Sequence, residues 1–415
     1  MTQHPRAFLF LQGPPGPFFA ELAAGLEDLG HTCRRVNFNG GDRHDWRRPA
    51  FDFAEPAEAW PARVTDLMLR WGISDIVLFG DCRPLHRIAG AAADRLGVAV
   101  HVFEEGYIRP DWVTLERGGV NGYSRLPRDP KEYLRAAVGL PPVPAYPSVP
   151  SSFRVRAREA IGYFFASWRQ SRAFPGYRSH RPHALTAEAA GWLVRMALRP
   201  LARMRAVWSL RHLGRSRYFV LPLQLDSDHQ IRTHSPFAGM QEAVETIVGS
   251  FGRHAPPRTK LVVKEHPLDN GLRPWRRIMT RIARWYCLGR RVIFLEHGDL
   301  EALVAGAEGV VTVNSTSGTL ALAAGRPVAV LGQAVYDLAG VTDQGSLDAF
   351  WSRPVPPQPE IFEAFRRVLV ARCLLRGGFS STAGRALLVP AAVARLSASQ
   401  VSSAAPTVVT AGAAE

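Results

Sequence analysis

Twice along this chain, short unbroken apolar runs alternate with stretches that repeat apolar residues at helical spacing. That pattern limits the fold more than any other feature. In the first block Ala7–Leu11, Thr32–Asn37, Asp75–Phe79 and Val98–Phe103 read as strands, with helices at Phe18–Leu29, Trp60–Trp71 and Leu85–Leu96. In the second, strands at Tyr218–Pro222, Lys260–Lys264, Val292–Leu295, Gly309–Val313 and Val328–Leu331 alternate with helices at Met240–Phe251, Pro274–Leu288, Leu300–Ala305 and Ser317–Ala324. Strands without polar alternation belong in a sheet covered on both faces, so each block predicts a parallel, doubly wound α/β layer. At 415 residues the chain exceeds one compact core, which fits two such domains. The expected division is 1–150 and 211–350 as Rossmann-like domains facing a cleft. Residues 151–210 form an added basic helical segment, 351–395 are C-terminal helices, and 396–415 are a small-residue, disordered tail. A ligand in such a cleft lies at the carboxyl ends of the strands.

The formal net charge of +15, with an isoelectric point near 10.4, favours anionic partners, although scattered arginine also accumulates in GC-rich genomes. The excess is densest between Phe153 and Trp208, where arginines, among them Arg178 and Arg181, interleave with aromatics. Such a stretch suits an anionic bilayer surface or single-stranded nucleic acid, and otherwise a solvated helical face. The absence of a recognised nucleic-acid module favours the bilayer, with no nucleic-acid partner. No run of about 18 apolar residues occurs and Met1–Arg6 does not resemble a secretion signal, so any membrane contact is peripheral. Cys33, Cys82, Cys287 and Cys373 form no CxxC pair, so neither a zinc nor a disulfide framework is expected, in keeping with a cytoplasmic setting.

Five constellations sit where strands end. Lys264-Glu-His266-Pro267 places a cation and an imidazole at a strand mouth, able to hold a phosphate or stabilise a leaving group; otherwise His266 merely closes the strand. Asn314, Ser315, Thr316 and Ser317 open a helix with more hydroxyls than one N-cap needs, which points to an anion site. Glu104 and Glu105 follow a buried strand, and either could act as general base if they are not a solvated acid pair. Asp226 and Asp228, one residue apart, admit three readings: a DxD-like magnesium site, a carboxylate nucleophile, or turn chemistry. Gln12 and Gly13 in the loop Gln12-Gly-Pro-Pro-Gly-Pro17, with Asn39 and Asp42 after the second strand, border the acceptor side of the cleft or form plain turns.

In one order, Gln12–Pro17, Asn37–Asp42, Glu104-Glu-Gly106, Pro222–Ile231, the His-Pro pair and the Ser/Thr cluster resemble the capsule polysaccharide biosynthesis and export family of Gram-negative bacteria. They share a motif pattern with bacterial sialyltransferases that use CMP-activated acids. The resemblance runs from the first strand to about Leu331. It implies a GT-B fold and a retaining glycosyltransferase that moves Kdo from CMP-Kdo to a phosphatidylglycerol-type lipid at the inner membrane, alongside other capsule proteins. Carried over, His266, Lys264 and Asn314 through Ser317 serve the CMP group, Asp228 attacks the sugar, and Glu104 or Glu105 activates the acceptor. Gln12, Gly13, Asn39, Asp42, Arg178 and Arg181 stand on the acceptor side. The family's pattern has adjacent serines, whereas Thr316 separates Ser315 from Ser317 here. CMP carries less charge than a nucleoside diphosphate, so no cofactor or metal is expected. The rivals are a CDP-polyol phosphotransferase of the same fold and a non-catalytic capsule-export component.

Overall fold

The buried apolar runs pair as the alternation predicts, in two separate sheets. A computed structural model of the chain describes residues 4–150, 152–179, 183–225 and 229–398. The strands are β1 Ala7–Phe10, β2 Thr32–Asn37, β3 Phe51–Asp52, β4 Asp75–Phe79, β5 Ala99–Glu105, β6 Trp112–Arg117, β7 Tyr218–Pro222, β8 Lys260–Lys264, β9 Val292–Leu295, β10 Gly309–Thr312, β11 Val328–Val330 and β12 Leu374–Arg376. The helices of the first half are α1 Phe18–Glu27, α2 Gly40–Trp46, α3 Trp60–Arg70, α4 Pro84–Leu96, α5 Pro130–Ala137 and α6 Phe153–Arg169. They are followed by α7 Leu185–Leu213, α8 His229–Thr233, α9 Met240–His254, α10 Trp275–Trp285, α11 Leu300–Ala305, α12 Ser317–Ala323, α13 Leu347–Phe350, α14 Pro359–Arg372 and α15 Thr382–Ala398.

The first sheet runs β12-β6-β5-β4-β1-β2-β3 and the second β11-β10-β7-β8-β9. Within the first, β3-β2-β1-β4-β5 is parallel throughout, and the second is parallel throughout. Counted from the first strand of each half, both follow the Rossmann order 3-2-1-4-5. The chain therefore turns to opposite sides of the sheet after β1 and again after β7. Each reversal opens a crevice at the carboxyl edge, between β1 and β4 and between β7 and β10. The architecture is GT-B.

Several parts of the fold depart from the sequence expectation. Residues 351–395 are not a unit of their own, because most of the segment completes the first domain. β12 pairs antiparallel with β6, α14 packs on α5, and α15 packs on α1. Leu388, Ala392 and Leu396 join Phe8, Phe10, Phe18 and Phe103 in one fully buried cluster. A three-residue strand carries too little periodicity to be read inside an otherwise helical stretch. Leu396–Ala398, assigned to the tail, belong to α15, and Leu396 is 0% exposed; residues 399–415 lie outside the described residues. The proline-rich stretch Pro127–Pro150, which reads as a linker in the sequence, holds α5, whose Asp129 cap accepts from Lys131 N–H with Pro130 in the first turn. The basic segment is two helices, α6 and α7, the second reaching Leu213. Finally, Gly40-Gly41 hides α2, which starts on the Asn39 cap.

Candidate active site

The crevice of the second domain is tied shut by amides. Gln224, just past β7, donates from Nε2 to Asn314 Oδ1 at 2.8 Å and accepts Asn314 N–H at 3.2 Å. Asn314 Nδ2 in turn donates to the Gln230 carbonyl at 3.0 Å. One side chain beyond β10 therefore holds both ends of the segment that contains Asp226 and Asp228, which themselves lie outside the described residues. Buried amides need such partners, so Gln224 and the Gln230 carbonyl are held beside Asn314.

The hydroxyl cluster divides into structural and available members. Thr312 Oγ1 accepts Ser315 N–H at 3.1 Å, and Ser315 Oγ accepts Ser317 N–H at 3.1 Å. Ser315 Oγ also hydrogen-bonds Ser317 Oγ at 3.1 Å. Thr319 Oγ1 reaches across to the first domain, donating to the Tyr107 carbonyl at 2.7 Å. Thr316 precedes α12 without a side-chain cap bond. Gly318 is required by close approach, since a Cβ there would stand 2.4 Å from Tyr336 Oη. Ser315, Thr316 and Ser317 are each only partly buried at this edge.

Two strands away, β8 delivers Lys264 and then His266. The ladder spacing puts these loop ends about 10 Å apart on one edge, with the β7 loop between them. Lys264 is buried, its ammonium donating to the Glu265 carbonyl at 2.8 Å, and burial lowers its pKa. Glu265 pairs with Arg195 of α7 at 2.7 Å, yet burial pushes its carboxyl up to about 7. His266 Nδ1 accepts Leu268 N–H at 3.1 Å, which leaves the ring proton on Nε2. Burial, then the positive charges of Arg109, Lys264, Arg156 and Arg195, push His266 down to about 4. At neutral pH it is an uncharged N–H donor standing in a field of cations.

Arg109, Arg156 and Arg195 form part of this site, although the sequence ranked none of them as site residues. Two of them come from α6 and α7, which only the tertiary structure brings to the strand mouth. The acidic pair is split by strand geometry: Glu104 and Glu105 are the last residues of β5, so their side chains alternate. Glu105 pairs with Arg156 at 2.9 Å. Glu104 Oε2 lies beside Gly80, and its charge acts on the Cys82 thiol.

The first crevice is organised differently from the sequence expectation. Gln12, Asn39 and Asp42 are 2%, 2% and 0% exposed and bonded mainly to one another and to α6. Tyr163 of α6 donates to Asp42 Oδ1 at 3.0 Å and accepts from Asn39 Nδ2 at 2.9 Å; Gln12 Nε2 donates to Asp42 at 3.4 Å. Arg35 neutralises Asp42 at 3.3 Å. A fully buried carboxylate demands such compensation, so these residues fasten α6 to the domain instead of facing an acceptor. Gly13 packs on the Phe19 ring, Arg178 is exposed, and Arg181 lies outside the described residues.

The two carboxyl edges meet. Besides Thr319 on Tyr107, Arg128 donates to the Ala334 carbonyl at 2.8 Å, and Cys82 after β4 stands 3.5 Å from His234 after α8. Along the outside, α6 and α7 present large apolar side chains to solvent, including Phe165, Trp168, Leu193 and Trp208, beside the exposed Arg169, Arg199 and Arg203. Among the described residues, no helix is long and apolar enough to cross a membrane.

A family model described as capsule polysaccharide biosynthesis protein matches residues 74–380. The capsule polysaccharide export protein KpsS of Escherichia coli is 37% identical over 373 residues, covering 88% of this chain and 95% of that protein. The capsule polysaccharide modification protein LipB of Neisseria meningitidis serogroup B is 34% identical over 386 residues, covering 90% and 91%. Among solved structures, the β-Kdo 2,7 transferase of Thermosulfurimonas dismutans KpsC aligns over 94% of this chain and 98% of that one, at 15% identity and a TM-score of 0.46.

Proposed function

Since the chain belongs to the capsule polysaccharide biosynthesis protein family, we propose that it is a retaining glycosyltransferase that moves Kdo from CMP-Kdo to a phosphatidylglycerol-type lipid. The observation that carries this reading is the convergence on one carboxyl edge. A neutral imidazole and a lysine at the end of β8 and two hydroxyls beyond β10 stand on either side of β7, from which the chain runs on to Asp228. The donor's phosphate and sugar carboxylate are both anions, and the cations around His266 offer them a matching field.

In this mechanism His266 Nε2–H, Lys264 and the Ser315–Ser317 hydroxyls hold the cytidylate phosphate. Asp228 attacks the anomeric carbon as the bond to the phosphate oxygen breaks, so CMP leaves with the electron pair and a sugar–aspartyl adduct forms. Glu104, on the Cys82 side of the seam, then takes the proton of the lipid hydroxyl, whose oxygen displaces Asp228. Glu105 orients Arg156. Two displacements retain configuration. His266 donates a hydrogen bond in this scheme without giving up its proton, because a ring titrating near 4 is uncharged already.

The lipid end of the reaction fits the outer surface of α6 and α7. Trp168 is 64% exposed and Phe165 58% exposed, with Arg169 next to them. Aromatic side chains at headgroup depth flanked by arginines suit an anionic bilayer, and the chain would lie on it as a peripheral protein of the inner membrane. Other capsule proteins are the expected neighbours.

The direct test uses CMP-Kdo with a fluorescent phosphatidylglycerol-type acceptor, product being read by mass spectrometry. Wild type should consume CMP-Kdo but not CDP-glycerol. Asp228→Ala should lose at least about a hundredfold in rate. Consumption of CDP-glycerol alone would instead favour the phosphotransferase.

A further inference from the structure

One cluster of chemistry-bearing side chains lies outside that reaction. Asp81 and Cys82 follow β4 in the first crevice, and His234 follows α8 in the second domain. Their carboxylate, sulfur and ring-nitrogen atoms all lie within 4.8 Å of one another. Cys82 Sγ is 3.5 Å from His234 Nε2 and 3.3 Å from Asp81 Oδ1. A tetrahedral zinc ion, with bonds of about 2.3 Å to sulfur and about 2.0 Å to nitrogen or oxygen, separates its ligand atoms by about 3.3–3.5 Å. Two edges of that tetrahedron are therefore already in place, and a turn of the Asp81 carboxylate closes the third.

The atoms behind these ligands are fixed as a metal site requires. Asp81 Oδ2 accepts Val120 N–H at 2.8 Å, which leaves Oδ1 facing the cluster. His234 hydrogen-bonds the Gln333 side chain, and its Nδ1 lies with Gln333 Oε1 against Gly122. That bond puts the ring proton on Nδ1 and leaves the Nε2 lone pair aimed at Cys82. Tyr123 packs edge-on against the ring at 4.6 Å. A Cβ at residue 122 would stand 2.1 Å from Nδ1, so only glycine admits the imidazole there. Outer partners that set tautomer and orientation are the usual accompaniment of a bound metal.

We propose that Asp81, Cys82 and His234 bind one zinc-type divalent cation across the seam between the two domains. A thiolate, an imidazole and a carboxylate match a borderline-soft ion, and three protein ligands leave a fourth position open. Binding replaces the Cys82 thiol proton, which leaves to solvent; nothing is oxidised or reduced. Without the ion, burial and then the Asp81 carboxylate hold that thiol well above its ordinary pKa. Among the described residues, no ion pair neutralises Asp81. The ion would fix the register of the two crevices, because its ligands come from both domains. The reading is independent of the Kdo transfer proposed above, and it departs from the sequence expectation of neither metal nor zinc framework.

The test measures metal, not transfer. Full-length protein prepared with zinc should carry about one equivalent per chain by mass spectrometry of the metal. Cobalt exchange should add a thiolate-to-cobalt charge-transfer band in the near ultraviolet. Cys82→Ser and His234→Ala should each lower zinc affinity at least about tenfold and abolish the band, while Cys287→Ser, at an exposed cysteine, should change neither. Cobalt spectra of the wild type keep the test decisive if a variant fails to fold. Wild type without stoichiometric metal would overturn the proposal and leave an S–H···N hydrogen bond between the domains. So would metal retained by both variants but lost on Asp226→Asn with Asp228→Asn.

Discussion

The amide pair between Gln224 and Asn314 gives the sharpest test of how the site is held. Asn314→Ala removes two well-formed side-chain bonds, the 2.8 Å bond from Gln224 and the 3.0 Å bond to the Gln230 carbonyl. At about 0.5–1.5 kcal/mol each, these contribute about 1–3 kcal/mol. Gln224 is 6% exposed; its Oε1 keeps the backbone N–H of residue 314, but its Nε2 loses Asn314 Oδ1, which adds about 1–3 kcal/mol. A loss of about 2–6 kcal/mol is expected for Asn314→Ala in urea unfolding of the full chain, read on the transition of the second domain. Gln224→Ala should lose a comparable amount, because it breaks the same pair from the other side. The double variant should fall short of the sum by about 1–3 kcal/mol, since the one shared side-chain bond is lost only once and neither amide is left facing a missing partner. Gln224 and Gln230 bracket Asp228 in the chain, so with their anchor gone transfer should drop on the order of 100-fold in each single variant. Additivity within about 0.5 kcal/mol would refute the idea that this pair positions the loop.

Three further outcomes follow from the same structure. The pH profile of kcat/KM should show no histidine inflection across about pH 5.5 to 8, because free His266 titrates near 4; an inflection near 6.5 that disappears in His266→Gln would contradict this. Glu116, raised to about 7 chiefly by burial, should make stability fall as pH rises from its unfolded value of about 4.3 through 7, at up to about 1.4 kcal/mol per pH unit. Glu116→Gln keeps one carbonyl oxygen to accept from Tyr107 or Ser124 and does not titrate, so unfolding curves across that range should lose this group's share of the slope. Leu396→Ala should cost about 2–5 kcal/mol and unfold the first domain earlier, whereas a change within about 0.5 kcal/mol would deny α15 its place in that core.

Much of the fold was legible because parallel strands buried on both faces leave an unambiguous apolar run. All five strands of the second half appear where periodicity put them. Among the elements that escaped, β3 with two residues, β12 with three and α2 behind two glycines carry too little pattern, whereas β6 and α5 went unread despite six and eight residues. The candidate site was legible in part, since His266, Lys264 and the Ser315–Ser317 hydroxyls mark strand ends, where Rossmann sheets bind ligands. Gln12, Asn39 and Asp42 also follow strand ends, yet they are buried against α6. A polar residue after a strand reads the same whether it faces a ligand or, like Asp42, a buried arginine and tyrosine.

Local sequence thus determined the two parallel sheets and the residues leaving their strands, because backbone periodicity and burial act over a few neighbouring positions. Tertiary structure alone decided that Arg109, Arg156 and Arg195 surround His266, that Glu104 and Glu105 part company, and that Cys82 meets His234 across 152 residues. Those relations depend on how two domains and two outlying helices pack. No short stretch of chain encodes the direction in which a side chain finally points.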